Sequence, residues 1–201
     1  MNDTGLLIII SGPSGAGKGT IVSELIKNKS YALSISITTR EAREGEVDGV
    51  HYFFNTKEQF EEMIDKNELL EYAQFCGQYY GTPIDYMQEQ LKKGKNVILE
   101  IEVQGALQVK ERFPEAILMF LTPNNIGELK SRLENRATET PEKISMRMER
   151  AKQEIKLIDN YDYIIINNVV EDAVESINSI VKSEKMSASR HMYLMNTFLE
   201  N

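Results

Sequence analysis

The stretch Gly12-Pro13-Ser14-Gly15-Ala16-Gly17-Lys18-Gly19-Thr20 has the residue types needed to hold the phosphates of a nucleotide. Glycines at 12, 15 and 17 lack the Cβ that would stop the backbone turning tightly. Successive N–H groups can then aim inward and form an anion nest where a helix begins. Lys18 adds a point charge suited to the β- and γ-phosphates. The strict phosphate-loop pattern places Ser or Thr directly after the lysine, whereas here Gly19 intervenes before Thr20. The Thr20 hydroxyl is therefore expected on phosphate or on a water of Mg²⁺ rather than on the metal itself. A glycine-rich turn with no ligand is the plainer alternative, and the lysine together with the flanking elements argues against it.

Those elements are a strand and a helix. Leu6-Leu7-Ile8-Ile9-Ile10-Ser11 is a continuous apolar run of strand length, and Ile21-Val22-Ser23-Glu24-Leu25-Ile26 spaces its apolar residues as a helix does. Further strands are predicted over Tyr31–Thr39, Val50–Phe54, Glu68–Phe75, Asn96–Val103, Ala116–Leu121 and Tyr163–Ile166. Between them, Thr56 and Gln59 form a capping-box signature for a helix over Lys57–Asp65. Thr82 and Pro83 suit the N-cap and first position of a helix running to Lys93. Helices are also predicted over Gln104–Arg112, over Asn124–Ala137, from Thr140-Pro141 onward, and over Val170–Val181. Strands alternating with helices imply right-handed crossovers and an α/β fold with a parallel sheet flanked by helices.

Other charged residues fall where an anionic ligand needs them. Arg40 and Arg43 sit three apart in a loop and can converge on one phosphate, although pairing with Glu41, Glu44 and Glu46 is the simpler reading of that stretch alone. Glu71 lies among apolar neighbours and requires water or a polar partner. Glu100 and Glu102 end a core strand, and ligands gather at the carboxyl ends of strands in open parallel sheets. Arg132 and Arg136 are one helical turn apart, and Arg147 and Arg150 are three apart on the next helix. Surface pairing with Glu128 and Glu134 explains them plainly, and two such helices also suit a lid that closes over phosphates.

Composition narrows the class. The length of 201 residues suits one α/β domain with inserted subdomains, and the net charge of −8 argues against a nucleic-acid surface. Cys76 is the sole cysteine, so no intrachain disulfide can form, and His51 and His191 are too few for a zinc site. No apolar run approaches the roughly 20 residues of a membrane span, and the start lacks the features of a signal peptide, so no membrane association and a cytoplasmic location are expected. The apolar residues after Ser183 are expected to pack on the protein's own core or on a second subunit, which allows a homodimer.

From Leu6 to about Val181 the chain resembles the guanylate kinases. The resemblance rests on GPSGAGKGT at Gly12, SITTREAR at Ser36, LLEYAQFCGQYYGTP at Leu69, LEIEVQGA at Leu99 and RLENRATET at Arg132, in that order and spacing. It implies a P-loop core built from residues 1–35, 95–123 and 158–183, an inserted GMP-binding subdomain over 36–94 and a helical lid over 124–157, and it leaves a tail over 184–201 outside the match. It further implies that Arg40, Arg43, Tyr52 and Tyr80 hold the GMP phosphate while Ser36, Glu71, Thr82 and Glu102 surround the guanine. Lys18 with the lid arginines Arg132, Arg136 and Arg147 would bind the ATP phosphates, and Asn167 would lie near the adenine. Thr20 and Glu100 would meet Mg²⁺ through water.

The implied reaction is transfer of the ATP γ-phosphoryl group to GMP, with dGMP as a further expected acceptor. Such a transfer needs cations and in-line positioning more than a general base. Two alternatives compete: a non-catalytic module that uses the old groove to bind a protein, and a kinase for another nucleoside monophosphate. Lys18 and the arginines argue against the first; Glu71 and the SITTREAR stretch argue against the second.

Overall fold

The computed structural model describes residues 4–75, 77–135 and 140–199. In chain order, β1 (Leu7–Ser11) feeds the glycine loop and α1 (Lys18–Leu25), followed by β2 (Tyr31–Leu33), β3 (Ile37–Thr38), β4 (Phe53–Phe54) and α2 (Lys57–Asp65). Then come β5 (Leu69–Phe75), β6 (Gln78–Pro83), α3 (Ile84–Lys92), β7 (Asn96–Glu100), α4 (Val103–Arg112) and β8 (Ile117–Thr122). The chain continues through α5 (Ile126–Glu134), α6 (Pro141–Ile155), β9 (Tyr163–Ile166), α7 (Val170–Lys185) and α8 (Tyr193–Leu199).

The main sheet has the order β2-β7-β1-β8-β9, and every pairing in it is parallel. β1 occupies the centre because all five of its residues are buried, as a strand covered on both faces requires. Ile8 and Ile10 meet Ile21 and Leu25 of α1 and Ile177 of α7 on one face. Leu7 and Ile9 meet Met87 of α3 and Val109 of α4 on the other. A smaller sheet, β4-β3-β6-β5, is built around Ile37, Phe60 and Leu69, with the Phe60 ring stacked on Tyr79 at 5.1 Å.

The run expected as one strand over Tyr31–Thr39 is divided between the two sheets. Ser34 still donates its N–H to Ile98 O of the main sheet at 2.8 Å, and Ser36 O already accepts from Phe53 N of the smaller one at 2.9 Å. Alternation is common to both sheets, so periodicity alone does not show the crossing between them. The Val50–Phe54 strand shrinks to its last two residues. The capping box forms as expected, with Gln59 N on Thr56 Oγ1 and Thr56 N on Gln59 Oε1.

Thr82 is not a cap. It lies within β6, and Pro83 takes the N-cap position of α3. Likewise β7 stops at Glu100 and Glu102 becomes the N-cap of α4. The helix expected over Asn124–Ala137 spans Ile126–Glu134, because Asn125 caps it by accepting from Glu128 N at 2.9 Å. α7 runs beyond Val181 to Lys185. Among the described residues the tail does not enter the core: Phe198 and Leu199 are 79% and 77% exposed. No helix among the described residues is long and apolar enough to cross a membrane.

Candidate active site

The phosphate loop joins the carboxyl end of β1 to α1, with φ of +140° at Gly12, +92° at Gly15 and +93° at Gly17. A side chain at Gly12 would put its Cβ 2.1 Å from Leu121 O of β8, so only glycine fits against that neighbouring strand. The far side of the loop is pinned at Ala16, whose carbonyl accepts from Asn167 Nδ2 at 2.8 Å and Arg132 Nη1 at 3.4 Å. Arg132 also donates from Nη2 to Asn167 O at 2.6 Å and pairs with Glu128. Asn167, expected near the adenine, is only 4% exposed and directs its amide into the loop.

Lys18 opens α1 and donates from Nζ to Gly12 O at 2.6 Å and Pro13 O at 3.3 Å. Burial pulls its pKa below the ordinary lysine value, against the opposing pull of the Glu102, Glu100 and Glu154 carboxylates. Burial likewise pushes Glu100 above the usual carboxylate range, with Lys18 opposing it. The Glu100 carboxylate lies beside the first turn of α1, 3.8 Å from where a Cβ on Gly19 would stand. Thr20 is exposed on that same turn.

Of the two α6 arginines, one reaches the loop. Arg147 donates from Nη1 to Ser14 Oγ at 2.7 Å. Arg150 instead bridges two acids, Glu102 and, at 2.9 Å, Glu154. Arg136 and Cys76 lie outside the described residues.

On the smaller sheet, Glu71 is 8% exposed and its Oε1 accepts from Thr82 Oγ1 at 2.7 Å. Burial raises its pKa, and the Thr82 hydrogen bond only partly offsets this. Arg40 forms a two-pronged pair with Glu46, both contacts at 2.9 Å, while its guanidinium stands 5.5 Å from the centre of the Tyr52 ring. The Arg40 guanidinium and the Arg43 backbone N–H hold the Glu46 carboxyl down at about 2. Tyr52 meets Tyr80 edge-on at 6.1 Å, and Tyr80 is set opposite Thr38 in the ladder. The charge pairing anticipated from the sequence thus coexists with an arginine–tyrosine cluster. Ser36 immediately precedes β3, and its carbonyl accepts from Phe53 N, the neighbour of Tyr52 in sequence.

The structure therefore gathers Ser14, Lys18, Glu100, Arg132, Arg147 and Asn167 around the loop, and Arg40, Tyr52, Glu71, Tyr80 and Thr82 on the second sheet. Three further residues were not singled out from the sequence. Glu154 pairs with Arg150 four positions earlier, a spacing that signals the contact. Gly105 and Arg112 of α4 touch Glu71 and the strand that carries it, across 34 and 42 or more positions, which no local pattern announces.

A parallel sheet whose central strand ends in a phosphate loop, with helices on both faces, defines a P-loop nucleotide-binding α/β protein. The guanylate kinase family model matches residues 4–184, and the chain belongs to that family. It is 53% identical over 189 residues to the guanylate kinase of Halalkalibacterium halodurans, covering 94% of this chain and 93% of that one. Identity to the Bacillus subtilis guanylate kinase is 50% over 192 residues, 94% of each chain. The crystal structure of guanylate kinase from Anaplasma phagocytophilum superposes with a TM-score of 0.72 at 28% identity, covering 92% of this chain and 88% of that one.

Proposed function

We propose that this protein is a cytoplasmic ATP:GMP phosphotransferase that forms ADP and GDP by direct in-line transfer. The observation that carries the choice of acceptor is the buried Glu71 carboxylate beside Thr82. A carboxylate accepts from guanine N1–H and the 2-amino group, whereas adenine offers an acceptor at N1 and no 2-amino group. Facing adenine, Glu71 would keep its desolvation cost without the partners, and such a mismatch is worth ~10⁴-fold in selectivity. Ser36, Thr82 and Glu102 complete the base site in this reading. Arg40, Arg43, Tyr52 and Tyr80 take the GMP phosphate, and since none of these roles involves the ribose 2′-hydroxyl, dGMP is expected to serve as well.

In the transfer, a GMP phosphate oxygen attacks the γ-phosphorus while the bond to the β,γ-bridging oxygen breaks, and that electron pair stays on ADP. The acceptor oxygen is already anionic, so no catalytic base is required. Lys18 exchanges its Gly12 and Pro13 carbonyl partners for phosphate oxygens. Arg132, Arg136 and Arg147 spread the charge that accumulates between the two nucleotides. Asn167 supports this by fixing the loop at Ala16. Closure of the lid and of the GMP-binding subdomain excludes the water that would divert transfer into hydrolysis.

Mg²⁺ suits the donors present. No group of three or more His, Cys, Asp or Glu poised for a metal occurs among the described residues, and Glu100 and Thr20 offer hard oxygens beside the loop. That is the sparse protein contribution expected of a magnesium ion held mainly by phosphates and water. When bound, it neutralises charge on the β- and γ-phosphates. Chromatography of a mixture of ATP, Mg²⁺ and GMP tests the reading: GDP and ADP should appear in equal amounts, and ADP without GDP would contradict it.

A further inference from the structure

β5 reaches the Glu71 position through a bulge. Leu69 pairs with Pro83 but Tyr72 pairs with Gly81, so Leu70 and Glu71 together oppose the single residue Thr82. Neighbours in a regular strand face opposite sides. Here both turn toward α4: Leu70 is fully buried in the cluster that contains Ala106 and Val109, and Glu71 Oε2 lies 3.1 Å from where a Cβ on Gly105 would stand. Without the extra residue, one of the two would point away from that helix.

The bulge disturbs the backbone ladder, and Pro83 opposite Leu69 has no N–H to offer it. Arg112, the last residue of α4, fills the gap. Its Nη1 donates to Leu69 O at 2.5 Å and to Leu70 O at 3.1 Å, the two carbonyls directly ahead of Glu71. One helix therefore holds the bulge by its backbone and leaves room, at Gly105, for the carboxylate it presents.

We propose that Arg112 is a positioning residue that fixes the Leu70–Glu71 bulge and thereby aims the Glu71 carboxylate at the guanine of the acceptor. The inference rests on the guanine role given to Glu71 above. The Arg112 guanidinium is bonded to the Leu69 and Leu70 carbonyls and is given no nucleotide contact in this proposal, so its effect would reach the substrate through Glu71.

Steady-state kinetics of the full chain test this. Losing two charge-assisted hydrogen bonds in Arg112→Met should raise KM for GMP about tenfold and leave KM for ATP within about twofold. Arg112→Lys, which keeps a charged donor, should recover most of the rise. In a Glu71→Gln background, Arg112→Met should add less than about twofold, because the group it positions is already lost. Should the methionine variant fail to fold, Arg112→Gln serves in the same comparison. An unchanged KM for GMP, a parallel rise in both KM values, no recovery with lysine, or an undiminished effect in the Glu71→Gln background would each overturn the proposal. A wild-type protein without GMP kinase activity would instead sink the functional reading, so the two failures are distinguishable.

Discussion

Arg147 donates to Ser14 across 133 positions of sequence, tying α6 to the phosphate loop at 2.7 Å. An arginine of α6 that already touches the loop needs little movement to reach the phosphates proposed to bind there. Arg147→Ala should lower kcat by about 10²-fold, the scale of removing one cation from a phosphoryl-transfer site. A coupled assay of ADP formation measures the loss. An unchanged melting temperature would assign it to chemistry rather than folding.

Gly12 packs against Leu121 O so closely that a methyl group has no room, and the obstacle is backbone rather than a side chain that can swing away. Gly12→Ala should destabilise the fold by about 3 kcal/mol through strain at φ +140° and displacement of β8. Thermal melts would register it as a fall in Tm, and nucleotide binding should weaken with it.

GMP use should depend on pH through Glu71. Burial raises the pKa of this acid, so protonation of the folded protein begins above the ordinary glutamate value of about 4.3. The protonated form cannot accept two hydrogen bonds on the required oxygens. As pH falls through the raised pKa, KM for GMP should climb, by about tenfold per unit once below it. Linkage gives stability the opposite trend: the folded form holds the proton more tightly than the unfolded chain, so Glu71 costs stability as pH rises through this window. Initial rates at several GMP concentrations across the acid range check the first effect, and Glu71→Gln should flatten it.

Arg40 is held by Glu46 and lies beside the Tyr52 ring, which fixes the direction of its guanidinium. Arg40→Ala should raise KM for GMP about 10²-fold while KM for ATP stays nearly constant. Equal changes in both values would mean that Arg40 serves the fold and not the acceptor phosphate.

The phosphate loop is readable from sequence because its glycines, its lysine and its flanking strand and helix are contiguous. The same holds for the Thr56–Gln59 capping box and for the central strand Leu7–Ser11, whose unbroken apolar run signals burial on both faces. Legibility fails where two sheets share one pattern. Residues 33–38 alternate without a break, yet the chain changes sheets at Ser34–Ser36. Thr82 is misleading for a different reason: Thr-Pro is a sound helix-start signal, and here tertiary pairing with Glu71 overrides it. The bulge at Leu70–Glu71 and its support by Arg112 depend on contacts distant in sequence, so they emerge only from the assembled fold.

The most direct measurement compares ADP formation with GMP, AMP, UMP and CMP as acceptors under identical ATP and Mg²⁺, in wild type and in Lys18→Ala. Activity with GMP alone, selectivity over AMP of ~10⁴-fold, and its collapse in Lys18→Ala would join the loop chemistry to the Glu71 base site in one experiment. A preference for AMP would contradict the role of Glu71, and inactivity with all four acceptors would contradict the phosphotransferase itself.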